Sequence, residues 1–96
     1  MLESRRTGVF ADWLDGLLDL RDGARIQARI ERLAAGNPGD TKSVGGGLSE
    51  LRIDCGLGYR VYFKVPGPKA VILLTGGDKS THSTDIRTAS RLARHL

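Results

Sequence analysis

The stretch "LSELRIDCGLGYRVYFKV", Leu48 to Val65, alternates apolar and polar residues with period two on both sides of a glycine-flanked break. That pattern reads as two strands, Leu48 to Asp54 and Tyr59 to Val65, joined at Gly56-Leu57-Gly58 into an antiparallel hairpin. Matching apolar faces with a three-residue turn sets Leu51 opposite Phe63 and Ile53 opposite Val61. The same register sets Glu50 against Lys64, Arg52 against Tyr62, Asp54 against Arg60 and Cys55 against Tyr59. It makes the second face polar along its length, with Arg52, Arg60 and Tyr62 presenting cations and one aromatic ring suited to a phosphate and a stacked base. Cross-strand ion pairs on a solvated sheet account for the same residues equally well.

Downstream, Val65-Pro66-Gly67-Pro68 turns the chain into a third strand, Lys69 to Thr75, whose continuous apolar character marks it as central. Gly76 and Gly77 then read as a turn off that strand. A final helix is expected over Thr84 to Leu96, capped by Ser83, with Asp85 in its first turn. Its apolar face is Ile86, Ala89, Leu92, Ala93 and Leu96, and Arg87, Arg91 and Arg94 lie on another. Leu2 to Arg6 is a candidate fourth, edge strand.

Upstream, Phe10, Trp13, Leu14, Leu17 and Leu18 follow the spacing of one helical face. A second helix, with Asp22 as its N-cap, buries Ile26, Ile30, Leu33 and Ala34 and ends at Gly36-Asn37-Pro38-Gly39. The short Arg21-Asp22-Gly23 break joins the two as an antiparallel helical hairpin. Arg25, Arg29 and Arg32 form an outward row that serves either a partner or solvent. Asp40 to Gly47 reads as a polar, glycine-rich connection.

The order helix, helix, three to four strands, helix makes this an α+β domain spanning residues 1–96. Ninety-six residues support one modest core. One cysteine, Cys55, allows no internal disulfide, and the opening residues are not a secretory segment, so a reducing cytoplasm is the expected setting. No apolar run is long enough for a bilayer span. A net charge of +4, with eleven arginines among the fifteen basic residues, points to an acidic or polyanionic partner. His82 and His95 with the single cysteine do not make metal-ligand spacing, so neither metal nor cofactor is expected.

From Asp15 to Phe63, and again over "VILLTGGDKSTHSTDIRTAS" from Val71 to Ser90, the chain resembles RelE/ParE-type toxins of type II toxin–antitoxin modules. It is more closely similar to the HigB-like addiction module killer proteins of the phage Gp49-like group. Glu50-Leu51-Arg52-Ile53, Gly58-Tyr59-Arg60-Val61-Tyr62 and Gly76 to Thr81 carry the most specific part of the likeness. The resemblance implies a RelE-like toxin fold, with an N-terminal helical hairpin on a small, antiparallel-rich twisted sheet and a closing C-terminal helix. It also implies either an endoribonuclease that cuts messenger RNA on the ribosome and so inhibits translation, or a gyrase poison on the same fold. A non-toxic module that binds antitoxin is a third possibility. The implied partner is a cognate antitoxin, of helix-turn-helix, HigA-like type, in a hetero-oligomer.

Metal-independent RNA cleavage needs a 2′-hydroxyl deprotonated, a pentacovalent phosphate stabilised and a 5′-oxygen protonated. Arg52, Arg60 and Lys79 are the candidate cations for the middle task. His82 is the candidate acid or base, since imidazole is the group that ordinarily titrates near neutrality. If His82 takes no part, Lys79 is the alternative base, or the ribosome supplies most of the alignment. Tyr62, Lys64 and Arg87 are the candidate RNA contacts.

Overall fold

A computed structural model describes residues 1–96. The central hairpin pairs β3 (Leu48–Ile53) with β4 (Tyr59–Lys64), but its register differs from expectation by two residues. Leu51 faces Val61, Arg52 faces Arg60, Ile53 faces Tyr59 and Glu50 faces Tyr62. The cause is the turn. Asp54 does not pair with Arg60, and the connection runs from Asp54 to Gly58, closed by Cys55 N–H donating to Ile53 O and Gly58 N–H to Cys55 O. Gly56 and Gly58 take φ of +52° and +76°, a region costly for residues with a Cβ. A two-residue shift preserves face parity, so the alternation still sorts the side chains correctly.

The sheet has five strands in the order β1-β5-β4-β3-β2, so the expected three to four strands fall short. β1 (Glu3–Arg6) runs parallel to β5 (Ala70–Gly77), which makes the sheet mixed. β2 (Thr41–Gly45) is the opposite edge, antiparallel to β3, formed by residues read as a connection. A short edge strand can be polar, because it needs ladder hydrogen bonds but little burial.

On one face, Leu51, Ile53, Val61, Phe63, Val71 and Leu73 pack with Phe10 of α1 (Gly8–Asp15) and with Ile26, Ile30, Leu33 and Ala34 of α2 (Leu20–Ala34). Thr7 caps α1 and Asp19, not Asp22, caps α2. Because α1 stops at Asp15, Leu18 leaves its face and is fully exposed. The expected helical hairpin is not the dominant packing: α1 lies mainly on β5, and α2 on β1 and β3.

Asp22 acts instead as a tether. Tyr59 Oη donates to Asp22 Oδ2 at 2.7 Å, joining the start of α2 to the start of β4, while the Tyr59 ring meets Trp13 edge-on. This bond to a carboxylate, helped by burial, pushes the Tyr59 phenol from 10.0 to about 12. Since the folded value lies above the unfolded one, the bond's contribution is complete below pH 10 and is lost as the pH climbs toward 12. Tyr59→Phe is expected to cost about 1 kcal/mol at neutral pH. In urea unfolding, the gap between variant and parent should close across that alkaline window, and a gap constant with pH would contradict the assignment.

The second face is not polar throughout. α3 (His82–Ala93) covers part of it, burying Leu48, Tyr62 and Leu74 beneath Ala89, with Ile86, Leu92 and Ala93 alongside. The helix is entered through a 3-10 turn, Lys79–Thr81, capped by Asp78, so Ser83 is not its cap.

Gly76 and Gly77 are strand residues, paired with Val61 and Arg60. Neither has positive φ. They are glycines because space is absent: a Cβ at Gly76 would collide with the Trp13 ring, and one at Gly77 with Asp85 Oδ2 and Thr81 Oγ1. Gly76→Ala is expected to destabilise by about 2 kcal/mol, since a wedged indole must shift. Gly77→Ala meets only side-chain tips. Thermal unfolding of both variants would show the larger loss at Gly76.

Candidate functional site

At the end of the second face that α3 leaves open, alternation brings Glu50 and Arg52 to one side of β3, and the register sets Arg60 of β4 beside Arg52. Two guanidiniums directly opposite would repel. Glu50 offsets them from within. Its carboxylate is only 2% exposed; Oε1 accepts from Arg52 Nε at 3.1 Å, and Oε2 lies 3.8 Å from Arg60 Nε and 3.0 Å from His82 Nε2. Arg52 also lies 3.9 Å from Asp40.

His82, the first residue of α3, reaches Glu50 because Gly77 lets the helix start lie against the sheet. An ionised carboxylate only accepts, so Nε2 carries the proton and Nδ1 is left without a protein partner. The ring is 42% exposed. A buried carboxylate fixing a partly exposed imidazole in one tautomer is the arrangement that prepares histidine for proton transfer.

Lys79 forms no ion pair, and its aliphatic stem packs over Gly58, where a Cβ would meet its Cγ and Cδ at 3.1 Å. With Arg52, Arg60, Asp40, Asp54 and Gly58 it lines a depression of about 210 Å³ that has no apolar side chain. Arg60 Nε is buried there without a hydrogen-bond partner. Three of the expected catalytic residues, Arg52, Arg60 and Lys79, therefore share one concavity. His82 joins them only through Glu50.

The expected RNA contacts fare differently. Tyr62 is fully buried, its ring 6.2 Å from that of His82 and its hydroxyl unpartnered, so it offers no stacking surface. The register explains this: Tyr62 pairs with Glu50 and Thr75 and falls under the first turns of α3. Burial, with Glu50 and Asp85 nearby, raises its phenol far above the ordinary range. Lys64 lies apart, lining a separate depression with Leu48, Ser90 and Arg94. Arg87 is exposed on α3, away from the Arg52–Arg60 concavity and forming no ion pair.

At the helix entrance, hydrogen bonds from Ser80 hold Asp78 below the usual carboxylate range. Burial pushes Asp85 up, against the Thr81 hydroxyl that donates to it. No group of three or more His, Cys, Asp or Glu side chains lies close enough to share an ion, and no helix is long and apolar enough to cross a membrane.

Glu50 is the residue that sequence reasoning missed, having assigned it to a surface pair with Lys64. A signal was available: it shares a face with Arg52 two residues on, and it opens one of the most specific matched tracts.

The profile of the phage-derived protein Gp49-like family matches residues 12–95. An uncharacterised protein of Haemophilus influenzae is 53% identical over 95 residues, covering 99% of this chain and 96% of its own length.

Proposed function

The chain belongs to the phage-derived Gp49-like family, which is associated with toxin–antitoxin modules, and on that footing we propose that it is the toxin of such a module, a metal-independent endoribonuclease acting on translated messenger RNA. The observation that carries this reading is the Glu50-centred cluster, which holds two guanidiniums that line one polar concavity and ties an imidazole to them through a shared carboxylate.

In the proposed reaction the 2′-oxygen loses its proton and attacks the adjacent phosphorus, and the bond from phosphorus to the 5′-oxygen breaks. The products are a 2′,3′-cyclic phosphate and a 5′-hydroxyl. His82, through Nδ1, carries one of the two proton transfers. Arg60, Lys79 and Arg52, which line the concavity, stabilise the pentacovalent phosphate. Glu50 is a positioning residue, since its two oxygens are already engaged and it is shielded from substrate.

The charge balance bears on where cleavage occurs. Arg52, Arg60 and Lys79 face Asp40 and Asp54 in the concavity, with Glu50 beneath. Free RNA gains little from so compensated a surface, so the message needs to be held by another body, and the translating ribosome supplies that alignment.

A reporter message incubated with the protein in a reconstituted translation system, with 5′ ends mapped, tests the reading. Codon-phased cuts on translated message and few on naked message are expected. No cuts, together with gyrase-dependent DNA breaks, would assign the fold to gyrase poisoning instead.

A further inference from the structure

We propose that the groove between α2 and the end of β3 docks an acidic, amphipathic segment of a protein partner. The groove, about 350 Å³, has Arg25, Arg29 and Arg32 along its wall and Ala28, Ile53 and Cys55 as its apolar lining. The three arginines follow i, i+4, i+7, about 6 and 4.5 Å apart along the helix axis.

Their charges are not compensated. Arg25 and Arg32 lie in no ion pair, and Arg29 donates to the carbonyls of Arg52 at 2.8 Å and Pro38 at 3.1 Å rather than to a carboxylate. Asp54 is the single acid at the rim. The polar concavity beyond Asp54 balances its cations with carboxylates, so of these two adjoining depressions the one along α2 carries the cationic surplus. Arg29, held by two carbonyls, is a fixed charge flanked by two free ones.

An acidic protein segment suits this surface better than RNA does. No aromatic side chain lines the groove to stack a base. Its apolar lining instead takes aliphatic side chains, and guanidinium forks pair bidentately with carboxylates. Identifying the partner as the antitoxin rests on the toxin reading above; the docking chemistry does not.

The probe is a fluorescein-labelled helical peptide with glutamates at i, i+4 and i+7 beside leucines, followed by anisotropy. Its Kd should rise about tenfold or more in Arg25→Gln/Arg32→Gln, and binding should weaken with added salt. Both substitutions are at exposed positions, and circular dichroism checks the fold. Alkylation of Cys55 by iodoacetamide should slow when the peptide is bound, which places it in the groove. Messenger RNA cleavage by the double variant should match the parent, and a parent that cleaves nothing leaves the peptide result intact. Equal peptide affinity for parent and double variant, or unchanged Cys55 alkylation, overturns the proposal. So does an oligoribonucleotide that binds more tightly than the peptide and depends on the same two arginines.

Discussion

Glu50→Ala is expected to lower stability by about 3 kcal/mol, a large part of the roughly 5–15 kcal/mol that holds a domain of this size together. The carboxylate is 2% exposed and is the common counter-ion of Arg52, Arg60 and His82. Removing it leaves two guanidiniums directly opposed across β3 and β4, with no other acid as close. Their side chains are 33% and 18% exposed, so they recover part of their hydration, which sets the estimate at the lower end for a broken buried pair. Glu50→Gln retains the volume and one acceptor but not the charge, and should fall between parent and alanine variant. Urea midpoints at constant m-value measure all three. A second measurement separates folding from positioning: on the proposed endoribonuclease reading, cleavage should still drop in Glu50→Gln, where most molecules remain folded, because His82 loses the carboxylate that fixes its tautomer. A loss below about 1 kcal/mol in Glu50→Ala would class the cluster with ordinary surface pairs.

Much of this arrangement was legible beforehand, and the parts that were not have separable causes. α2 announced itself because its buried residues recur at helical spacing and Gly36 stops it. The hairpin strands and their faces were readable because period two fixes parity. The register was not, because it depends on whether Asp54 pairs or joins the turn, a choice made by backbone hydrogen bonds that leave no mark on composition. β2 escaped because Lys42 and Ser43 are exposed on an edge, and only its ladder with β3 defines it. Alternation puts Tyr62 on the correct face but says nothing about which part of that face a later helix covers. Glycine was ambiguous in another way. At Gly56 and Gly58 it supplies positive φ, as a turn reading assumes, whereas at Gly76 and Gly77 it makes room for Trp13 and Asp85. A sequence shows the missing side chain without showing what occupies its place. Charge had the same defect: Arg29 and Arg52 read as free cations, yet one is bound to two carbonyls and the other to carboxylates.

If the concavity is catalytic, Arg60→Ala should reduce cleavage of translated message by about 100- to 1,000-fold, more than Lys79→Ala. Arg60 is the less exposed cation, its side chain 18% accessible, and its Nε is buried without a hydrogen-bond partner. That atom lies 3.8 Å from Glu50 Oε2, so the guanidinium is anchored in advance, and an anchored cation needs little reordering as charge develops on phosphorus. Lys79 is exposed and pays to order its ammonium. Arg52 is committed to Glu50 Oε1, which leaves it less to give. The loss should therefore appear in the single-turnover rate of the ribosome-bound message, with the half-saturating concentration little changed, as befits an interaction made mainly in the transition state. Arg60→Lys should not restore activity, because an ammonium cannot place a planar fork between Glu50 and the phosphate. Folding is controlled by the same urea series used for Glu50, and Arg60→Ala should retain the Glu50 contacts to Arg52 and His82. Equal losses at Arg60 and Lys79 would mean that the concavity works through net charge alone. Full toxicity in Arg60→Ala would remove the cluster from the killing activity, whatever its part in stability.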